Sequence, residues 1–334
     1  VLSLFVENSY NSLFTKNNIV TSMNFRLFFL ALLLTSSALA NPNIVVSIKP
    51  IHSIVSSLTQ GIVTPKLLLS GKQSAHYAHL KPSQLSLLEQ ADLVVIMHQD
   101  FEQGLSKSIR NISAEKILTV DQSLDDEHDE HDEHDEHDEH DEHDEHDEHD
   151  EHDEHDEHDE HDEHDVNHHS WLSVQNIQQF AKKLNTELIQ IDPKNAATYN
   201  SNLVKLSQQL ATLQLTIQQK LSGYTNQPII TYNNAFEHFI KSQQLNQIGS
   251  ISQQHGGNLS IFKILKAKKT IQEHQVGCLL FTTEIPQKRI NTLTEDLVIN
   301  TADIDIIGFD IQPGVDHYFN LMQDMTQKTV QCLK

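Results

Sequence analysis

The chain has 334 residues and a formal charge of −24, with 47 acidic against 23 basic side chains. The acidity is local: the 41 positions from Asp125 to Asp165 hold 28 carboxylates, so the remainder sits at about +4, and no nucleic-acid partner is expected. With that tract and an N-terminal address segment set aside, about 250 residues remain, enough for two α/β lobes with their own cores.

Residues 1–22 contain no Met and read as an over-extended start. From Met23 the chain runs through Arg26, an apolar stretch from Leu27 to Leu34, and Ala38-Leu39-Ala40. A basic start, a short apolar core and small residues at the end make 23–40 a secretory signal cut after Ala40. The apolar stretch is too short to span a bilayer. Neither of the two cysteines, Cys278 and Cys332, lies beside the cut, so a periplasmic protein without a lipid anchor is expected. In that oxidising compartment the two cysteines are expected to pair.

The mature chain begins with a β-rich run, Ile44 to Ile48, ended by Lys49-Pro50, and a helix from His52 to Leu58. Strands follow at Thr64–Leu69, Ala91–Met97 and Lys116–Val120, with a polar loop carrying His76 and His79 and a helix over Gln84–Gln90. Such alternation predicts a parallel sheet, whose ligands gather at the carboxyl ends of its strands.

The tract leaves after the fourth strand. Its histidines stand every third residue, at His128, His131, His134, His137, His140, His143, His146, His149, His152, His155, His158, His161 and His164. With no apolar residue and so many like charges it cannot offset its ordering entropy and is expected to be a disordered, solvated loop. Imidazole and carboxylate together make it an accessory metal-gathering segment.

Beyond it, His168-His169-Ser170-Trp171-Leu172-Ser173 leads into a helix to about Gln190. Asp192-Pro193 opens a second helix, in which Leu203, Leu206, Leu210, Leu213, Ile217 and Leu221 form one apolar stripe. Packing along the lobes is the simpler reading of that stripe than a coiled-coil dimer, so a monomer is expected. Strands are then predicted at Pro228–Tyr232, Gln247–Ile251, Gly277–Glu284 and Asp303–Phe309. They alternate with helices at Ala235–Gln243, Ile261–Glu273, Arg289–Ile299 and Val315–Cys332.

These landmarks together resemble the ZnuA type of zinc-binding periplasmic protein, a cluster A-I solute-binding protein of bacterial ABC importers. The resemblance rests on Val46-Ser47-Ile48-Lys49-Pro50, on His76 six residues before Pro82-Ser83, on Ala91-Asp92-Leu93-Val94-Val95, and on Glu102. It continues with the His/acidic loop, His169-x-Trp171-Leu172-Ser173, the long helix, the cysteine pair and Phe309-Asp310. It implies two Rossmann-like lobes with parallel sheets (41–190 and 224–334), joined by one rigid helix (191–223), with a metal cleft between them. By the same resemblance His76 and His169 fall on two histidine ligands and Asp310 on a carboxylate near the metal.

The pattern is departed from at Asn233, where the resemblance expects a third histidine. A neutral amide oxygen is a poor zinc ligand and relatively favours oxygen-loving cations. His255, or water, is then expected to complete a tetrahedron, and His79 competes with His76. His52 and His98 read as structural, and His317 as solvent-facing.

The function implied is capture of Zn²⁺ and its delivery to an ABC permease in the membrane. The alternatives are an Mn²⁺- or Fe²⁺-binding homologue, or a zinc-buffering or adhesive protein that relies on the tract. No enzyme is expected: the chain has no His-Glu-x-x-His, no Gly-x-Ser-x-Gly and only ten glycines.

Overall fold

Buried parallel strands are covered on both faces and therefore read as continuous apolar runs. The first, β1 (Ile44–Val46), is buried along its whole length. In this computed structural model, which describes residues 41–121, 167–252 and 259–334, it sits inside a four-stranded parallel sheet. The signal segment, the repeat tract and His255 lie outside the described residues. The sheet order is β2-β1-β3-β4, with β2 at Lys66–Leu67, β3 at Leu93–Ile96 and β4 at Ile117–Thr119. Its helices are α1 (Lys49–Leu58), α2 (Pro82–Glu89) and α3 (Gln103–Ile109). α1 starts three residues before the expected His52: Pro50 lies in its first turn, where a missing N–H costs nothing. α3 was not expected; its seven residues bury only Leu105 and Ile109, too short a signal for periodicity.

After a single 3-10 turn at Ser170–Leu172, Ser173 Oγ accepts the Asn176 N–H and caps α4 (Val174–Ile191). The long helix α5 spans Ala196–Leu221. Its predicted stripe is buried at Leu206, Leu210, Leu213, Ile217 and Leu221, and Leu203 packs partly against the same core. α5 lies against α1 and α4, so its apolar face is already covered within the chain. Asp192 caps through side chains rather than backbone: its Oδ2 accepts from Asn195 Nδ2 at 2.7 Å and from the Tyr199 hydroxyl at 2.9 Å.

The second parallel sheet runs β6-β5-β7-β8, with β5 at Ile229–Thr231, β6 at Gln247–Ser250, β7 at Cys278–Thr282 and β8 at Asn300–Ile304. Its helices are α6 (Glu237–Ser242), α7 (Ile261–Glu273), α8 (Gln287–Thr294) and α9 (His317–Cys332). The last strand ends five residues short of Phe309. The Asp305 carboxylate accepts the backbone N–H groups of Ile307, Gly308 and Phe309, turning the chain out of the sheet. Cys278 and Cys332 form a disulfide, with Cα atoms 5.4 Å apart, that ties α9 to β7.

The two halves are joined by buried polar contacts as well as by α5. Lys49 Nζ donates to the carbonyls of Gly308, Phe309 and Ile311. Trp171 Nε1 donates to Ile306 O, and the Tyr318 hydroxyl donates to Trp171 O. His317 is not solvent-facing: it is 1% exposed, with its ring nitrogens on Ile307 O and Gln312 O, and it helps lock the turn after β8. Gly308 allows that turn, for its φ is +74° and a Cβ there would lie 2.7 Å from His317 Cε1.

Candidate metal centre

The carboxyl ends of both sheets face one cleft. From the first half Ala75, His76, Phe101, His169 and Trp171 line it; from the second come Thr282 at the end of β7, Thr283 and Glu284 just after it, and Asp305, Ile306, Ile307 and Phe309 after β8. Its free space is about 10 Å³, room for roughly one water molecule or ion.

His76 and His169 meet here, their ring centroids 5.7 Å apart. Phe101 packs on both, at 4.3 and 5.2 Å, and Trp171 on His169 at 5.0 Å. Burial, aided by the nearby charge of His168 and opposed by a hydrogen bond to the Phe101 backbone, pushes His76 down to about 4. At neutral pH it therefore presents the neutral imidazole that metals require. The loop carrying it is pinned by Gly104, where a Cβ would fall 1.9 Å from Ala78 O. His169 is oriented from behind: Asn167 Oδ1 accepts from its backbone N–H and sits 2.8 Å from its Nδ1. A proton on Nδ1 leaves Nε2 as the metal-binding nitrogen.

Other expected residues are placed differently. The Asp310 side chain is 82% exposed, pairs with Lys72 at 2.8 Å, and does not line the cleft. Asp305 and Glu284 are the carboxylates that do. Asn233 is fully buried, caps the turn Asn234–Phe236 through the Ala235 N–H, and is not in the lining. His79 is exposed and also outside the lining. His52, by contrast, is structural as expected, its Nε2 3.0 Å from Pro65 O. The sequence reading missed Phe101, Asn167, Glu284 and Asp305. A carboxylate immediately after an apolar strand was the available cue for Asp305.

The family model for the periplasmic component A of a zinc-uptake complex, ZnuA, matches residues 44–332. The chain belongs to that family. The high-affinity zinc uptake system protein ZnuA of Haemophilus influenzae is 34% identical over 324 residues, covering 91% of this chain and 96% of the relative. The same-named protein of Haemophilus ducreyi is 31% identical over 297 residues, covering 89% and 95%. Among solved structures, a crystal structure of ZnuA has a TM-score of 0.67 at 19% identity, with 88% of this chain and 99% of that one covered. The solute-binding protein FpvC of Pseudomonas aeruginosa with Ni²⁺ has a TM-score of 0.68 at 14% identity, with 88% and 97% covered. A ZnuA-type fold thus holds the cleft residues described above, and the matched family is by its description the periplasmic component of a zinc-uptake complex.

Proposed function

We propose that the protein captures Zn²⁺ in the periplasm, reached through the signal at 23–40 and without a lipid anchor, and hands it to the permease of an ABC importer as a monomer. The observation that carries this reading is the convergence of the His76 and His169 imidazoles on a cleft that also takes in Asp305 and Glu284. Two nitrogens and one or two carboxylate oxygens make a zinc-type set. The thirteen tract histidines would raise the local metal concentration without a tight site of their own. The names of the ZnuA relatives support zinc as the cargo.

The test is growth. In a bacterium lacking its own periplasmic zinc-binding component, this chain should restore growth under zinc limitation, and H76A/H169A should not. Equal rescue by both would remove the cleft from the account.

A second reading, an Mn²⁺- or Fe²⁺-binding homologue, draws on the two carboxylates and on Asn233 standing outside the cleft. Mn²⁺ failing to compete with Zn²⁺ at equal concentration would dismiss it.

A further inference from the structure

Beside the cleft, a second group of metal-type side chains gathers where the tract begins and ends. One ligand atom each from His98, Asp100 and His168 lie within 4.8 Å of one another. His98 follows β3, and His168 immediately precedes the cleft residue His169. The His98 and His168 rings stack with centroids 4.1 Å apart and planes 9° from parallel. His98 Nδ1 lies 3.4 Å from Asp100 Oδ2. Ligands around a tetrahedral zinc ion stand about 3.3 Å apart, so that pair has a chelating separation, and a cation there would replace the Asp100 backbone N–H that His98 Nδ1 accepts at 3.2 Å. Asp100, whose side chain is 80% exposed, is the member that can rotate to close the three.

Behind the group stands a support of the kind metal-binding histidines use. His168 Nδ1 is 2.7 Å from Asp121 Oδ2, and both side chains are largely buried, at 14% and 10% exposure. The other Asp121 oxygen accepts the Ser170 hydroxyl, which fixes the carboxylate. A carboxylate on Nδ1 holds the proton there and leaves the Nε2 lone pair of His168 to a cation. A stacked histidine pair needs no such carboxylate merely to fill space.

We propose that His98, Asp100 and His168 form an accessory Zn²⁺ site, supported by Asp121. Two imidazoles, one carboxylate and an open fourth position give a site that loads and releases metal readily. Asp121 is the last described residue before the tract and His168 lies just after it, so the site stands at the tract's root. Consecutive residues, His168 and His169, then serve the accessory site and the cleft, which places the accessory site as a way-station between the two. The proposal rests on the reading that zinc is the cargo, and not on which residues hold it in the cleft.

The experiment is anomalous diffraction at the zinc edge from crystals of the full chain soaked in zinc in excess over the tract histidines. Expected is a peak ~2.0–2.2 Å from His98, Asp100 and His168 nitrogens or oxygens, separate from any cleft peak. H98A should lose it, and D100N, a surface change that leaves the fold alone, should weaken it severalfold; the cleft peak should persist in both. A cleft peak with nothing at His98 and His168, or an accessory peak of equal height in H98A, overturns the proposal. An accessory peak beside an empty cleft supports it and overturns the cleft reading instead, whereas no peak at either place overturns both.

Discussion

The imidazoles of His76 and His169 stand with ring centroids 5.7 Å apart, although the whole Asp-Glu-His tract separates them in sequence. The shared parallel direction of the strands, rather than their order, achieves this, for β2 and β4 lie at opposite sides of the sheet. β2 and β4 both end at the carboxyl edge of one parallel sheet, and the second sheet turns its own carboxyl edge, with Asp305 after β8, toward the same cleft.

Asn167 should matter to metal binding although it touches no metal. Its Oδ1 sets the His169 ring, and loss of such a support typically costs 10–100-fold in affinity. N167A should weaken zinc by about that factor, whereas D310A, which breaks only an exposed pair with Lys72, should change it less than about 2-fold. Competition with a chromogenic zinc chelator measures both.

Zinc stoichiometry should depend on pH. The tract imidazoles take up protons near ~6.5, so lowering pH from about 7.5 to about 5.5 should strip most tract-bound metal. His76, held down to about 4, stays neutral over that range. Calorimetry should show many weak sites at the higher pH and few at the lower. Equal stoichiometry at both would refute the role given to the tract.

Glu102 should make stability fall as pH rises. Complete burial pushes its carboxyl up from 4.5 to about 8, while Oε2 accepts the Met97 N–H at 2.9 Å. The folded state therefore keeps a proton that the unfolded chain releases above 4.5. This contribution is fully present below 4.5, declines through the window up to about 8, and is lost above it. It amounts to at most about 5 kcal/mol. E102Q keeps an oxygen acceptor and removes the titration, so its melting temperature should vary less between those pH values than that of the parent chain.

Removing the disulfide should lower stability without emptying the cleft. Cys278 and Cys332 are 54 positions apart, and closing such a loop contributes ~4 kcal/mol through the entropy of the unfolded chain. C278S/C332S should unfold at lower denaturant and still bind zinc. Unchanged denaturation midpoints would show that the link adds nothing.

The α/β alternation was legible because each buried strand is an apolar run between polar punctuation, as at Leu93–Ile96 and Cys278–Thr282. α7 was legible end to end because Ser260 caps its first turn. The last strand was not. Ile306 and Ile307 continue the apolar run, and only the capture of three backbone N–H groups by Asp305 stops it. The resemblance placed a carboxylate near the metal at Asp310, whereas Asp305 lines the cleft and Asp310 is exposed. His317 looked exposed because a polar residue at a helix start usually is, yet two carbonyls hold it inside. His98 and His168 are brought together only by folding, since they are 70 positions apart in sequence with the tract between them.

The most direct test of the cleft is zinc competition on a chain lacking residues 125–165, with and without H76A/H169A. The account predicts one tight site in the parent, weakened at least ~100-fold in the double variant. A tight site that survives loss of both histidines would contradict it.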